Sequence, residues 1–410
     1  MSIKDVGAGT KHHRHAIAAA YLGWTLDAFD FFVVVFMVDT LAHQFSVAKS
    51  AIVWTITATL AMRPVGALLF GMLADRFGRR KPLIANVIFF SVMELLSGFA
   101  PNYTAFLVLR ILFGIGMGGE WGLGASLAME SAPQKKRGLI SGILQSGYST
   151  GYLLAAIATR VVLPTLGWRA MFWIGGAPAL LAFYISWRVK ETEAWKQHHA
   201  PGLKAILVAA GAFWKNFLYL AMLMTLMHAL SHGTQDLYPD FLKSAHGFST
   251  STVSYIAMLY NVGAIIGGIL FGHLSERWGR RRSMISALVV SLCIMPLWAF
   301  GHTAFALAFG AFVMQVGVQG AWGIIPAHLN ELAPDALRGL IPGLAYQIGI
   351  LLAAPTSNIE YALRDKLGYS WALALFEIGV IVLLSTALIL GHEQRGKNFA
   401  SEPSAAVAKA

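Results

Sequence analysis

Cysteine is almost absent: Cys293 is the only one in 410 residues, so no intramolecular disulfide holds the chain together. Charge is scarce too, at 12% of residues against roughly 25% in soluble domains. With 57% apolar residues and a mean hydropathy of +0.61, water is excluded as the main solvent. Metal-ligand spacings, nucleophile–base pairs and phosphate loops are all missing, which argues against an enzyme and gives no ground for a metal or a cofactor. His12, His13 and His15 sit beside Lys11 and Arg14 and read as a charged membrane-flanking segment.

Apolar runs are abundant. Twelve of them, each near the ~20 residues that cross a bilayer, fall at about 16–43, 51–74, 82–100, 104–130, 139–163, 170–188, 213–242, 251–274, 284–300, 304–330, 340–363 and 371–391. The first is too long for a cleaved signal peptide. The net charge of +11 could suggest nucleic acid, but its distribution argues for a membrane instead. With the N-terminus inside, 23 of the 31 Lys and Arg fall in cytoplasmic loops or tails and six outside, leaving Arg63 and Arg110 within helices. Both termini are therefore expected in the cytoplasm.

The chain also repeats itself. GMLADRFGRRK (71–81) matches GHLSERWGRRR (272–282) at a displacement of 201, and the same displacement superimposes 116–138 on 317–339. The expected organisation is an N-terminal segment 1–15, a six-helix bundle 16–188, a cytoplasmic linker 189–212, a second bundle 213–391 and a tail 392–410. Two such bundles resemble the major facilitator superfamily. That resemblance implies an all-α fold of twelve transmembrane helices, with a substrate site between the halves that rocking exposes alternately to each side.

The repeated loop resembles the superfamily's signature G-x-x-x-D-R-x-G-R-R. It implies a cytoplasmic gate formed by Asp75, Arg76, Arg79 and Arg80 with Glu276, Arg277 and Arg280. Residues shared by both halves, such as Glu130 with Glu331 and Arg137 with Arg338, read as scaffold; polar residues found in one half only are candidates for substrate and proton.

Charges inside a bilayer cost on the order of 3 kcal/mol and persist where they pair or line a wet cavity. Asp27, Arg63 and Glu120 each lie about 11 residues from the cytoplasmic helix ends, roughly 16 Å along a helix, which puts opposite charges at one depth. Asp30 shares a face with Asp27. With Arg110 added, the tally is three acids against two cations, so one proton would neutralise the set. Asp27, Asp30, Glu120 and Arg110 are thus proton-coupling candidates; a permanent ion-pair network is the competing reading. RILFGIGMGGE around Arg110 and Glu120 resembles the superfamily's fourth-helix pattern and is compatible with both.

A polar stripe on the seventh span, HALSHGTQDLYPD (228–240), adds His228, His232, Gln235 and Asp236. The run S-H-x-T-Q-D within it resembles the signature of the yeast lactate permeases, which group with bacterial sialate:proton symporters; His228 replaces the family's Asn, and Asp240 its Thr. That resemblance implies proton symport of a small monocarboxylate such as lactate or pyruvate, with His232 and Asp236 in recognition and coupling. A carboxylate favours a planar guanidinium, and Arg63 is the best-placed cation. Gln235 and Gln347 could satisfy a hydroxyl or keto oxygen, while Tyr346 and Trp322 could close the site.

The expected setting is the inner membrane of a bacterium, with a monomer as the working unit and the organic anion, the proton and lipid as partners. A symporter of a larger acid (sialate, shikimate or a dicarboxylate) remains open, as does, more remotely, a carrier-derived sensor; the short tail offers no signalling extension.

Overall fold

In a computed structural model that describes residues 3–197 and 203–399, the described chain is helical and contains no strand. Among the described residues eight helices are individually long and apolar enough to cross a membrane, including Lys49–Phe77, Tyr103–Ser131, Thr250–Trp278 and Tyr369–Leu390. Other crossings are broken in mid-course. The seventh runs through Trp214–Gln235, pauses at Asp236 and Leu237, and continues as Tyr238–Ser244. The eleventh breaks between Ile341–Ala353 and Thr356–Leu367. Taken with these two broken crossings and with Arg80–Ser97 and Arg137–Val161, the described helices make the twelve-span, two-bundle fold.

Helix starts follow local chemistry. The side chains of Asn102, Ser249 and Thr303 each accept the backbone N–H three residues on, capping Tyr103–Ser131, Thr250–Trp278 and Ala304–Trp322. Helix Ile3–Phe36 begins well before the apolar run, so the segment expected as a polar leader is helical from Ile3. His15 joins the bundle there, its Nδ1 lying 2.6 Å from the Tyr184 hydroxyl. The expected linker carries two short helices, Glu193–Gln197 and Leu203–Ala212. Residues 198–202 of that linker, the first two residues, and 400–410 of the expected tail lie outside the described residues.

The duplication is physical as well as sequential. A Cβ on Gly66 would sit 1.7 Å from the Ile115 carbonyl oxygen, and one on Gly267 would sit 2.1 Å from that of Val316. Both members of the second pair are displaced by 201 from the first, so an equivalent glycine brings the second and fourth spans together in each half. Gly78 (φ 95°) and Gly279 (φ 93°) turn the two signature loops, a conformation that side-chained residues rarely adopt.

Candidate functional site

At the end bearing the signature loops, the halves touch through a two-fold set of bonds. Asp75 accepts the backbone N–H groups of Gly339 (2.7 Å) and Leu340 (3.1 Å) and pairs with Arg79 at 2.9 Å. In the twin arrangement Glu276 accepts the N–H of Gly138 and pairs with Arg280 at 3.4 Å. Arg79 bonds Glu130 at 2.8 Å, and Arg280 bonds Glu331 at 2.9 Å. Two arginines then cross between the halves: Arg338 to Glu130 at 3.4 Å and Arg137 to Glu331 at 3.2 Å.

Three of the seven expected gate residues, Arg76, Arg277 and Arg80, take no part in this layer. Arg76 is exposed and lies over its neighbour Phe77, and Arg277 is exposed and contributes only a carbonyl, to Arg395. Each stands beside its acid in sequence, which turns it about 100° round the helix, away from the other half. Arg80 stays with its own half, reaching the Ser186 carbonyl while its N–H meets Glu191. Glu130, Glu331, Arg137 and Arg338, expected as scaffold, form ion pairs across the interface, and the two glutamates bond within their own halves as well.

Above this layer lies a cavity of about 420 Å³ between the halves, and Arg63, His228, His232, Gln235, Asp236, Trp322 and Tyr346 all line it. At the far end His232 and Asp236 keep 34% and 43% of their side-chain surface accessible, so the cavity communicates with the side opposite the signature loops. His232 meets Asp236 at 3.1 Å, and Ser357 also donates to Asp236. His228 packs edge-on against Tyr346 and Trp322, with centroids 4.7 and 4.9 Å away, while its Nδ1 lies 2.8 Å from the Met224 carbonyl. Tyr346 in turn stacks on Trp121 at 4.2 Å.

Arg63 sits on the cavity wall at 2% exposure, its guanidinium 5.9 Å from the Tyr346 ring centroid. Its Nε and Nη2 have no hydrogen-bond partner among the described residues, and neither do both carboxylate oxygens of Asp27 and of Glu120. These two acids lie within Coulombic reach of Arg63 and are buried behind the cavity lining. Gly23 and Gly124 make room for Glu120 against the first span.

Arg110 belongs to a different pair. It bonds Glu94, with both side chains fully buried, and its guanidinium lies 3.9 Å from the Phe113 centroid. Asp30 shares the Glu94 neighbourhood: a Cβ on Gly175 would meet both carboxyl groups. The charge tally therefore changes, since Glu94 makes four acids against two cations. Gln347 turns away from the cavity and donates to the Gly118 carbonyl at 3.3 Å, because consecutive helix positions point about 100° apart and Tyr346 takes the cavity side.

Several residues in or behind the lining carried a signal that sequence reasoning passed over. Gln145, Tyr148, Ser149 and Tyr152 form a polar stripe at helical spacing on Arg137–Val161, and on Ala304–Trp322 Gln319 lines the cavity with Gln315 buried behind it. Gln315 bonds Gln235 at 2.8 Å, and Gln319 bonds Ser231 at 3.3 Å. Glu360 and Glu377 were also passed over; both are buried with neither oxygen partnered, and they give the second half acids of its own.

Comparison with known proteins agrees with this architecture. The profile of the Major Facilitator Superfamily matches residues 20–237, and that of the Sugar (and other) transporter family matches 204–391. The chain belongs to the major facilitator superfamily. It is thus a multi-pass membrane transporter and not an enzyme. A carboxylic acid transporter protein homolog of Saccharomyces cerevisiae is 30% identical over 93% of this chain and 68% of its own length. The sialic acid transporter NanX of Escherichia coli is 27% identical over 94% of this chain and 95% of its own. A solved proton:xylose symporter superposes with a TM-score of 0.80 over 96% of this chain and 98% of its own, at 19% identity, a likeness of fold.

Proposed function

We propose that this transporter carries an organic monocarboxylate across the membrane together with a proton, by alternating access. One observation carries the reading: Arg63 presents unpartnered N–H donors at the wall of the inter-half cavity while two unpartnered carboxyl groups, Asp27 and Glu120, stand behind it. A planar guanidinium binds a carboxylate through two parallel bonds. As long as both acids are ionised, they compete with the substrate for that cation. A proton on either one releases Arg63 to the incoming anion, which makes binding of the two ligands mutually supportive.

On this reading the anion enters past His232 and Asp236 and is ordered by Gln235, Tyr346 and Trp322. The bonded layer around Asp75 and Glu276 is the closed gate on the other side, and binding of both ligands allows it to part. The S-H-x-T-Q-D run favours a short acid such as lactate or pyruvate, and the yeast carboxylic acid transporter homolog supports a carboxylic acid without regard to size. The cavity volume favours a second reading, a larger acid. At about 420 Å³ it falls within the ~300–1,000 Å³ of pockets that enclose larger ligands.

The test is a set of Arg63 variants assayed in proteoliposomes against labelled lactate and a panel of unlabelled acids. Arg63→Lys is expected to fail, since an ammonium lacks the planar pair of donors. Arg63→Ala combined with Asp27→Asn or with Glu120→Gln is expected to reach the membrane without restoring uptake. Recovery to near the unmodified rate in either double variant would assign Arg63 to the scaffold.

A further inference from the structure

Phe399 lies between two arginines that come from opposite halves. Its ring centroid is 3.7 Å from the Arg137 guanidinium carbon and 3.9 Å from that of Arg338, and the residue is 4% exposed. Those arginines hold equivalent places in the duplication, and each already crosses the interface to the other half's glutamate. Facing guanidinium groups repel one another. An aromatic ring between them offers each an electron-rich face.

The residues before Phe399 are tied down on the same surface. Glu393 accepts the Arg281 N–H at 3.0 Å, and Arg395 donates to the Arg277 carbonyl at 2.7 Å. The Gly396 N–H meets Glu331 at 3.3 Å, and the Gly396 carbonyl accepts from Gln134 of the first half. The Lys397 carbonyl accepts from Arg137 at 2.9 Å, and its ammonium reaches Asp335 at 3.1 Å and the Ala333 carbonyl at 3.0 Å. One short segment thus bonds to both halves at the sealed end.

We propose that residues 393–399 form a strap holding the signature-loop end of the transporter shut, and that Phe399 positions Arg137 and Arg338 for it. When the halves part at this end the two arginines separate, and the ring cannot stay on both. The strap therefore stabilises one member of the conformational pair. Weakening it shifts the population toward the state open at this end.

Amide hydrogen exchange on the full-length protein in lipid nanodiscs reads this directly, because the Gly138, Gly339 and Leu340 N–H groups donate to Glu276 and Asp75 while the end is shut. Phe399→Ala is expected to speed exchange at these amides about tenfold, the scale of two partly desolvated cation–π contacts. Phe399→Leu, which keeps apolar bulk without a π face, is expected to behave like alanine. Phe399→Trp is expected to retain protection. Unchanged protection in Phe399→Ala, or a leucine variant equal to tryptophan, overturns the proposal. So does a matching rise at the Ala105 and Ala306 amides at the opposite end, which would mean general loosening.

Discussion

Asp75 accepts the backbone N–H of Gly339 at 2.7 Å, joining the second span of one half to the entry of the eleventh span in the other. Its second oxygen takes the Leu340 N–H at 3.1 Å. Because the acceptors are on one half and the donors on the other, this bond set must break whenever the end opens. It lies well away from Arg63, on the far side of the cavity floor.

Asp75→Asn keeps an oxygen to accept one N–H but loses the ion pair with Arg79. Transport is expected to slow while substrate affinity, measured by equilibrium binding, changes by less than about threefold. A loss of affinity of about tenfold, or roughly 1.4 kcal/mol, would contradict a role confined to the gate.

The buried acids of the first half divide into paired and unpaired, and stability should divide the same way. Glu94 and Arg110 are bonded and both fully buried, so Glu94→Gln takes from Arg110 its one bonded counter-charge; breaking such a pair costs about 3–5 kcal/mol. Glu120 has no hydrogen-bond partner, so Glu120→Gln is expected to leave the thermal midpoint unchanged or raise it. Differential scanning fluorimetry of the detergent-solubilised protein compares the two; equal losses would mean the division is wrong.

Gly66 and Gly267 carry the same crossing in the two halves. Alanine at either puts a methyl group within 2.1 Å of a carbonyl oxygen, so the helices must move apart. Each substitution is expected to cost about 1–3 kcal/mol, read as a lower melting temperature. An unaltered melting temperature for Gly267→Ala would mean this helix pair is loosely packed.

The duplication was legible because a displacement of 201 aligns Gly66 with Gly267, Asp75 with Glu276 and Gly78 with Gly279, and these positions make equivalent contacts or turns in both halves. The cavity-facing stripe His228–His232–Gln235 was legible from helical spacing alone. Pairing between spans was not. Glu94 carries no sequence mark of its bond to Arg110, since what joins them is the packing of two neighbouring helices. The rule that shared residues form scaffold did not tell contacts within a half from contacts between halves at Glu130, Arg137, Glu331 and Arg338. A two-fold interface uses equivalent residues on both sides, so symmetry marks contacts between the halves as readily as contacts within them. Gln347 was misplaced by one position, which on a helix is a change of face.

On the proposed mechanism a proton enters with the anion because Asp27 or Glu120 must give up its hold on Arg63. The most direct measurement follows a pH-sensitive dye trapped in proteoliposomes while the acid that competes best in the uptake panel is added outside, with no sodium present. The lumen is expected to acidify as the labelled anion enters, accumulation to collapse with an uncoupler, and Asp27→Asn combined with Glu120→Gln to abolish the acidification. Anion accumulation that proceeds undiminished with an uncoupler present, or that requires sodium in place of the proton gradient, would contradict the mechanism.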